Sequence, residues 1–222
     1  MRILVSALVN LLLLSVHAAQ TVTNVDLINA AINDRPISEL TADSVADMLG
    51  RPTAIKQPEI LAVAGEKVAL GARLVYADLG LTFRLRHEQN DSKQRVASVL
   101  IYLSRQEDSE TRTECSPFRG ALSSGVSAEW KAKRVMEDFA QYKPVDFYDN
   151  ARKKREMDDA WDQMDRLAGR DVIPHANLFL IIVNFPMCCA SFHYEEHTKF
   201  LESIEVSPRR SQEQSPERVD EP

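Results

Sequence analysis

A sequence pattern that occurs twice along the chain constrains the fold more than any other feature. The first copy contains INDRPISELTADSVADMLGRP, YADLGLTFRLRH and RVASVLIYLS, and the second contains FRGALSSGVSAEWKAKRVMEDF, FPMCCASFHYEE and KFLESIEVS. In each copy the first string is typical of a helix and the next two are typical of strands. We predict an α+β fold of two degenerate repeats, each a helix followed by antiparallel strands, with an inserted helix in the second. A chance likeness between two ordinary α+β segments is the alternative.

The helix predictions depend on capping residues and apolar spacing. Thr41 is suited to cap the first helix, and Gly50 is suited to end it. Ser127 is the matching cap in the second copy, where Pro144 closes the segment. Both segments carry apolar residues at the spacing of one helical face.

The strand predictions depend on alternation between apolar and polar residues. The alternating apolar positions are Leu81, Phe83 and Leu85 in the first copy and Ala190, Phe192 and Tyr194 in the second. The segment 96–103 aligns with 201–206, so that Ser98 matches Ser203. We expect the core to contain the aromatic residues Tyr76, Phe83, Phe118, Trp130, Phe185 and Phe192.

The first twenty residues have the pattern of a secretory signal peptide. Arg2 precedes an apolar run that ends at Val16, and small residues follow at Ala18 and Ala19. The run is shorter than the roughly 20 residues that span a bilayer, so we expect cleavage and no permanent membrane anchor. An uncleaved anchor is the alternative. We therefore expect a periplasmic protein.

These patterns divide the chain into segments. We expect a signal peptide at 1–19, a first α+β repeat at 20–104, a linker at 105–117, a second α+β repeat at 118–206 and a disordered tail at 207–222. The tail is rich in Pro, Glu, Ser and Arg, a composition that cannot bury a core.

The inserted helix of the second repeat, at about 146–169, carries an unusual charge distribution. Basic residues crowd its first half at 152–155 and acidic residues its second half, opposite to the preference of the helix dipole. An amphipathic helix that simply packs on the domain is one interpretation. The charge arrangement favours the other, a role in contacting a partner. The predicted partner-binding residues are Asp158, Asp159, Trp161, Asp162 and Asp165.

Three cysteines are available in a chain expected to be exported. One alternative is a disulfide from Cys115 to Cys188 or Cys189, which leaves one thiol over. The other is three packed thiols, because free cysteine behaves as a small hydrophobic residue.

The sequence contains only weak matches to catalytic motifs. The string from His193 to His197 matches H-x-x-E-H, but it falls on a predicted strand and turn, whereas the zinc-peptidase motif requires a helix. There is no G-x-S-x-G, no phosphate-binding glycine loop and no C-x-x-C. We expect no catalytic residue, no metal and no cofactor.

The net charge of −6 argues against a nucleic-acid partner, which would require a basic surface. The repeated helix and strands after a signal peptide resemble the β-lactamase-inhibitor-protein-like architecture and the small outer-membrane assembly lipoproteins that share its single unit. The words YADLGLTFRLRH, RVASVLIYLS and FRGALSSGVSAEW also look like an exported bacterial family of unassigned activity. The lipobox cysteine of the lipoproteins is absent here.

This resemblance implies a module that binds a protein partner through a sheet face and hairpin loops. Our leading hypothesis is a non-enzymatic inhibitor or immunity-type protein that occludes an envelope enzyme or a toxic effector. A cell-envelope assembly or structural factor is the alternative, and a small secreted hydrolase is the third hypothesis.

Overall fold

The computed structural model describes residues 24–63, 66–86, 94–146, 179–195 and 200–209, with the backbone alone at 61–63, 66–70 and 179. The predicted signal peptide, all of the predicted inserted helix beyond residue 146, and the tail from 210 onward lie outside the described residues.

The described chain contains two α-helices, α1 at Ala42–Leu49 and α2 at Ala132–Asp138. Its strands in the first half are β1 Asn24–Asp26, β2 Ala31–Ile32, β3 Arg35–Pro36, β4 Ala54–Lys56, β5 Glu59–Val63, β6 Glu66–Leu70, β7 Arg73–Tyr76, β8 Leu81–Leu85 and β9 Val96–Tyr102. The remaining strands are β10 Gln106–Asp108, β11 Thr113–Cys115, β12 Ala121–Leu122, β13 Val145–Asp146, β14 Phe179–Asn184, β15 Cys188–Tyr194 and β16 Leu201–Pro208. The mixed composition and antiparallel main sheet agree with the predicted α+β class.

An eight-stranded antiparallel sheet organises the described residues. Its order is β13-β14-β15-β16-β9-β8-β7-β4, so four neighbouring strands come from each half of the chain and β9 meets β16 in the centre. The two outermost strands are only two and three residues long. Short edge strands limit unwanted pairing with other chains.

The main hydrophobic core lies on one face of this sheet. Phe83 and Phe192 are fully buried there together with Val45 of α1 and Val135 of α2. The ring of Phe139, at the end of α2, lies 5.8 Å from that of Phe192. We call this face the inner face and the opposite one the outer face.

A smaller sheet connects the two halves a second time. Its order is β12-β1-β2-β3, and β1 of the first half pairs in parallel with β12 of the second. The two remaining strand pairs are hairpins, β5–β6 and β10–β11.

The two halves of the main sheet share an irregularity. The β8–β9 register shifts between Arg84 and Leu85, and the β15–β16 register shifts between His193 and Tyr194. These are the positions that the sequence alignment of the two copies places opposite one another.

Several predicted strands are confirmed, but each half of the chain contributes four strands to the main sheet and not the predicted two. The predicted strands at 81–86, 96–103, 190–194 and 201–206 correspond to β8, β9, β15 and β16. In each half, two further strands of the main sheet precede the predicted pair: β4 and β7 in the first half, and β13 and β14 in the second. Strand β7 gives no alternating pattern in the sequence because it is buried on both faces. Strands β4 and β13 are too short to form a pattern.

The two predicted helix caps have different outcomes. Thr41 caps α1 as expected and forms a reciprocal capping box with Ser44. Ser127 was wrong as the cap of the second helix, because α2 begins four residues later with Lys131 at its N-cap and no side-chain cap. The Ser127 carbonyl instead accepts a hydrogen bond from the amide of Trp130.

The predicted linker and tail also differ from the structure. The segment 105–117 contains the β10–β11 hairpin, which packs on the main sheet through Cys115. Strand β16 continues through Pro208, two residues into the segment expected to be disordered. The amide of Arg209 then donates to the carbonyl of Met187, so pairing with the neighbouring turn extends the order of the chain.

Candidate functional site

The outer face carries a polar cluster where the two halves meet. Ser98 and Arg84 both donate to one oxygen of Glu205, Oε1, at 2.7 and 2.9 Å. The side chains of Arg84 and Glu205 are 40% and 20% exposed. Because Arg84 and Ser98 belong to the first half and Glu205 to the second, this cluster is an ionic connection across the central strands.

His193 extends this cluster on the neighbouring strand β15. It was expected on a strand and is found there, paired with Ser203 of β16; His197 lies outside the described residues. Its Nε2 atom is buried without a hydrogen-bond partner. Burial lowers the pKa of His193, and the charge of Arg84 lowers it further against the opposing effect of Glu205. The imidazole is therefore neutral at pH 7.

Over the first half, the outer face is covered by the β10–β11 hairpin. Asp108 of this hairpin is fully buried. Its Oδ2 accepts a 2.8 Å hydrogen bond from the Tyr102 hydroxyl and lies 3.2 Å from Nε of Arg73. Burial raises the pKa of Asp108, but the charge of Arg73 and the hydrogen bonds from Tyr102 and Thr111 outweigh it, and the net pKa is lowered.

A second acidic residue completes the attachment of this hairpin. Oε1 of Glu110 lies 2.6 Å from Nη1 of Arg73, and Oε2 lies 3.2 Å from Nζ of Lys56. The Thr111 amide and hydroxyl both donate to the second oxygen of Asp108 at 3.0 Å. Both Asp108 oxygens are thus engaged within the chain, so this network fastens the hairpin and offers no free base.

The β5–β6 hairpin is arranged differently. Its strands pair with one another over residues 59–70 and with no other described strand. Ile60 on this hairpin is 61% exposed. A two-stranded hairpin is only marginally stable alone in water, and this one adds no strand to the main sheet.

Acidic side chains border a small cavity at one end of the sheet. The cavity is about 290 Å³ and is lined by Ser104, Ala128, Glu129, Glu195, Phe200, Leu201 and Glu202. Burial raises the pKa of Glu202, and the negative charge of Glu195 raises it further. Three of the seven lining residues are glutamates.

The predicted partner-binding residues Asp158, Asp159, Trp161, Asp162 and Asp165 lie outside the described residues.

All three cysteines are free thiols. Cys115 packs on the outer face against Val75 and Tyr102, whereas Cys188 lies in the main core and donates from Sγ to the Leu27 carbonyl at 2.9 Å. No bond joins Cys115 to Cys188, because they lie on opposite sides of the sheet. Burial raises the pKa of Cys115 to about 11 and that of Cys188 to about 12. Cys189, the third cysteine, is half-buried.

The sequence patterns did not identify Arg84, Glu205, Arg73 or Asp108. A charged residue in the middle of an apolar strand, as Glu205 is in β16, is one signal that could have found the central cluster. The Asp-x-x-Thr pattern at Asp108 is typical of a turn in which the carboxylate accepts backbone hydrogen bonds.

The described residues therefore define an antiparallel sheet protein of two four-stranded halves with a polar cluster between them. No family model matches the chain, and neither a curated protein nor a solved structure matches it. Among the described residues, no group of three or more His, Cys, Asp and Glu side chains is placed to hold a metal ion. Within the same residues, no helix combines the length and apolar character needed to cross a membrane.

Proposed function

We propose that this chain is a periplasmic, non-enzymatic binding protein of the inhibitor or immunity type, which occludes a partner enzyme or a toxic effector. The β5–β6 hairpin is the observation that carries this proposal. It pairs only with itself among the described strands and exposes Ile60. A hairpin that stands apart from the main sheet and presents an exposed apolar side chain is well suited to enter a cleft on another protein.

Burial of Ile60 would supply binding free energy at the hairpin. Transfer of one large aliphatic side chain out of water contributes about 1.5–3 kcal/mol. Apolar anchors of this kind, surrounded by polar contacts, dominate the affinity of many protein interfaces.

The charge of the chain favours a basic partner. Its net charge is −6, and Glu129, Glu195 and Glu202 surround the cavity at one end of the sheet. Charge complementarity raises the rate of association and excludes partners of the wrong sign. The acidic residues predicted to bind a partner, 158–165, would add to the same attraction.

Capture from a periplasmic extract tests the proposal. The tagged chain should retain one basic enzyme or effector in a stoichiometric complex, and Ile60→Arg should weaken that complex at least tenfold. Ile55→Arg is the matched control, because Ile55 is 51% exposed on a strand of the main sheet and lies outside the hairpin. Equal loss with both variants would contradict the role of the hairpin.

Coexpression supplies the functional readout. The chain should restore growth to cells that express the captured effector, and Ile60→Arg should not. Recovery of barrel-assembly or peptidoglycan components in place of a single enzyme would instead support the envelope-assembly alternative.

Export is part of the same proposal. The N-terminal pattern predicts cleavage after Ala18 or Ala19, so the mature chain should begin at residue 19 or 20. N-terminal sequencing of the protein recovered from the periplasm tests this, and retention of Met1 would contradict it.

We also infer that the two halves derive from a duplicated unit, as the predicted repeat requires. Both halves shift register at aligned positions. In the centre, Val99 pairs with Val206 and Ile101 pairs with Ile204, with Leu100 opposite Glu205 between them. The alignment of the two copies matches Val99 with Ile204 and Ile101 with Val206. Replacing each residue by its aligned counterpart therefore turns one outer pair into the other and leaves the Leu100–Glu205 pair unchanged, as expected of a two-fold axis through that central pair.

A further inference from the structure

We propose that His193, Glu205 and Arg84 form a proton-sensitive contact between the two halves of the sheet. At neutral pH Glu205 pairs with Arg84. When His193 takes up a proton from solvent, its imidazolium competes for the same carboxylate and weakens the pairing with Arg84.

The strand register places these groups within reach of one another. His193 is opposite Ser203, and Ser191 is opposite Glu205, so His193 and Glu205 are diagonal neighbours on the outer face. Diagonal neighbours are about 7–8 Å apart, a separation that long side chains span. The guanidinium of Arg84 reaches Glu205 from the other side, across β9.

The surroundings of His193 favour its neutral form at pH 7. Strand β14 places Leu180 opposite it, so the neighbour on that side is uncharged. Strand β16 provides Ser203 and Glu205, and Arg84 contributes a positive charge from β8. Along the chain, Ser191 lies two residues before His193 and Glu195 two residues after it, and Glu202 of β16 lies at the register shift next to His193. Among these acidic groups, Glu205 is the one whose charge raises the pKa of His193.

In this arrangement several hydrogen-bond donors use the same carboxylate, that of Glu205. One oxygen of Glu205 already accepts from both Arg84 and Ser98. A protonated His193 would add a third donor to the same group. Because Arg84 is already 40% exposed, it can turn toward solvent when the carboxylate is drawn away. The ionic connection between the halves then weakens when His193 becomes protonated, while the β9–β16 strand pairing remains.

Nuclear magnetic resonance of the mature chain tests this proposal without a partner. The Cε1–H signal of His193 should titrate with a midpoint below the usual 6.5 of histidine. Arg84→Met should raise that midpoint and Glu205→Gln should lower it further. The Arg84 Nε signal should shift with the same midpoint in the unchanged protein and lose this dependence in His193→Asn.

Other outcomes overturn the proposal. A His193 midpoint that neither Arg84→Met nor Glu205→Gln moves would show that the three groups are not coupled. An Arg84 Nε signal that stays constant through the titration of His193 would show that the ion pair does not respond to the proton. Because the first measurement follows His193 itself in folded Arg84 and Glu205 variants, it does not depend on whether His193→Asn folds.

Discussion

Tyr102 of the central strand β9 donates a 2.8 Å hydrogen bond to Asp108 of the β10–β11 hairpin, and both side chains are buried. The same carboxylate oxygen is 3.2 Å from Arg73 of β7. A segment that looks like a linker in the sequence is thereby fixed to the main sheet. Its attachment depends on a buried charge whose loss should be costly.

Asp108→Ala should destabilise the protein by about 3–5 kcal/mol, because it removes the fully buried carboxylate that pairs with Arg73 and accepts from Tyr102, and leaves Glu110 as the remaining partner of Arg73. The free energy of unfolding in urea measures this loss. Glu107→Ala on the same hairpin is the control, since its ion pair with Arg112 is exposed and is expected to contribute less than about 1 kcal/mol. Similar losses in the two variants would contradict the anchoring role of Asp108.

Stability should also fall in acid through Asp108. Its folded pKa is below the ordinary value of 3.8, so its stabilising contribution is fully present above that value and is lost as the pH falls through the folded pKa. The free energy of unfolding should therefore decrease more steeply below pH 4 in the unchanged protein than in Asp108→Asn. The same pH dependence of the unfolding free energy in both proteins would contradict this prediction.

Phe83→Leu and Phe192→Leu should have similar effects, because the two phenylalanines are aligned in the proposed repeat and are fully buried in one core. Each should cost roughly 1–2 kcal/mol, the usual scale for a modest loss of buried volume. Thermal unfolding of the two variants side by side gives the comparison. A difference of several kcal/mol would argue against equivalent packing in the two halves.

Thr41→Ala should lower stability by about 1 kcal/mol, since it removes the side chain that caps α1. Ser127→Ala should change it by less than about 0.5 kcal/mol, because the Ser127 side chain caps no helix. Both values come from urea titrations of the single variants. A larger effect at Ser127 would restore it as a stabilising residue of the second helix.

The parts of the fold that could be predicted are those in which one side of an element is buried. Strands β8 and β15 alternate because their inner faces enter the core, and α1 is marked by both its cap and its apolar face. Strand β7 lacks this signal, since the hairpin covers its outer face and Arg73 is buried there with the apolar residues.

The candidate site was less accessible to sequence reasoning because its members are distant in the chain. Arg84 and Glu205 are 121 residues apart, and they meet only after β9 and β16 have paired. No spacing between nearby residues in the sequence indicates such a contact. The aromatic core was easier to predict, and of its six residues only Phe118 is incompletely buried.

The parallel pairing of β1 with β12 has a consequence for the order in which the molecule assembles. The Leu27 amide donates to Ser123 Oγ, 96 residues further along, and its carbonyl accepts from Cys188, 161 residues further along. Strand β1 can pair with β2 as soon as both have emerged, but its other edge must wait for β12, and the Leu27 carbonyl must wait for Cys188. Contacts between such distant residues form slowly. The contacts that join the beginning of the described chain to its second half should thus form later than its local pairing with β2.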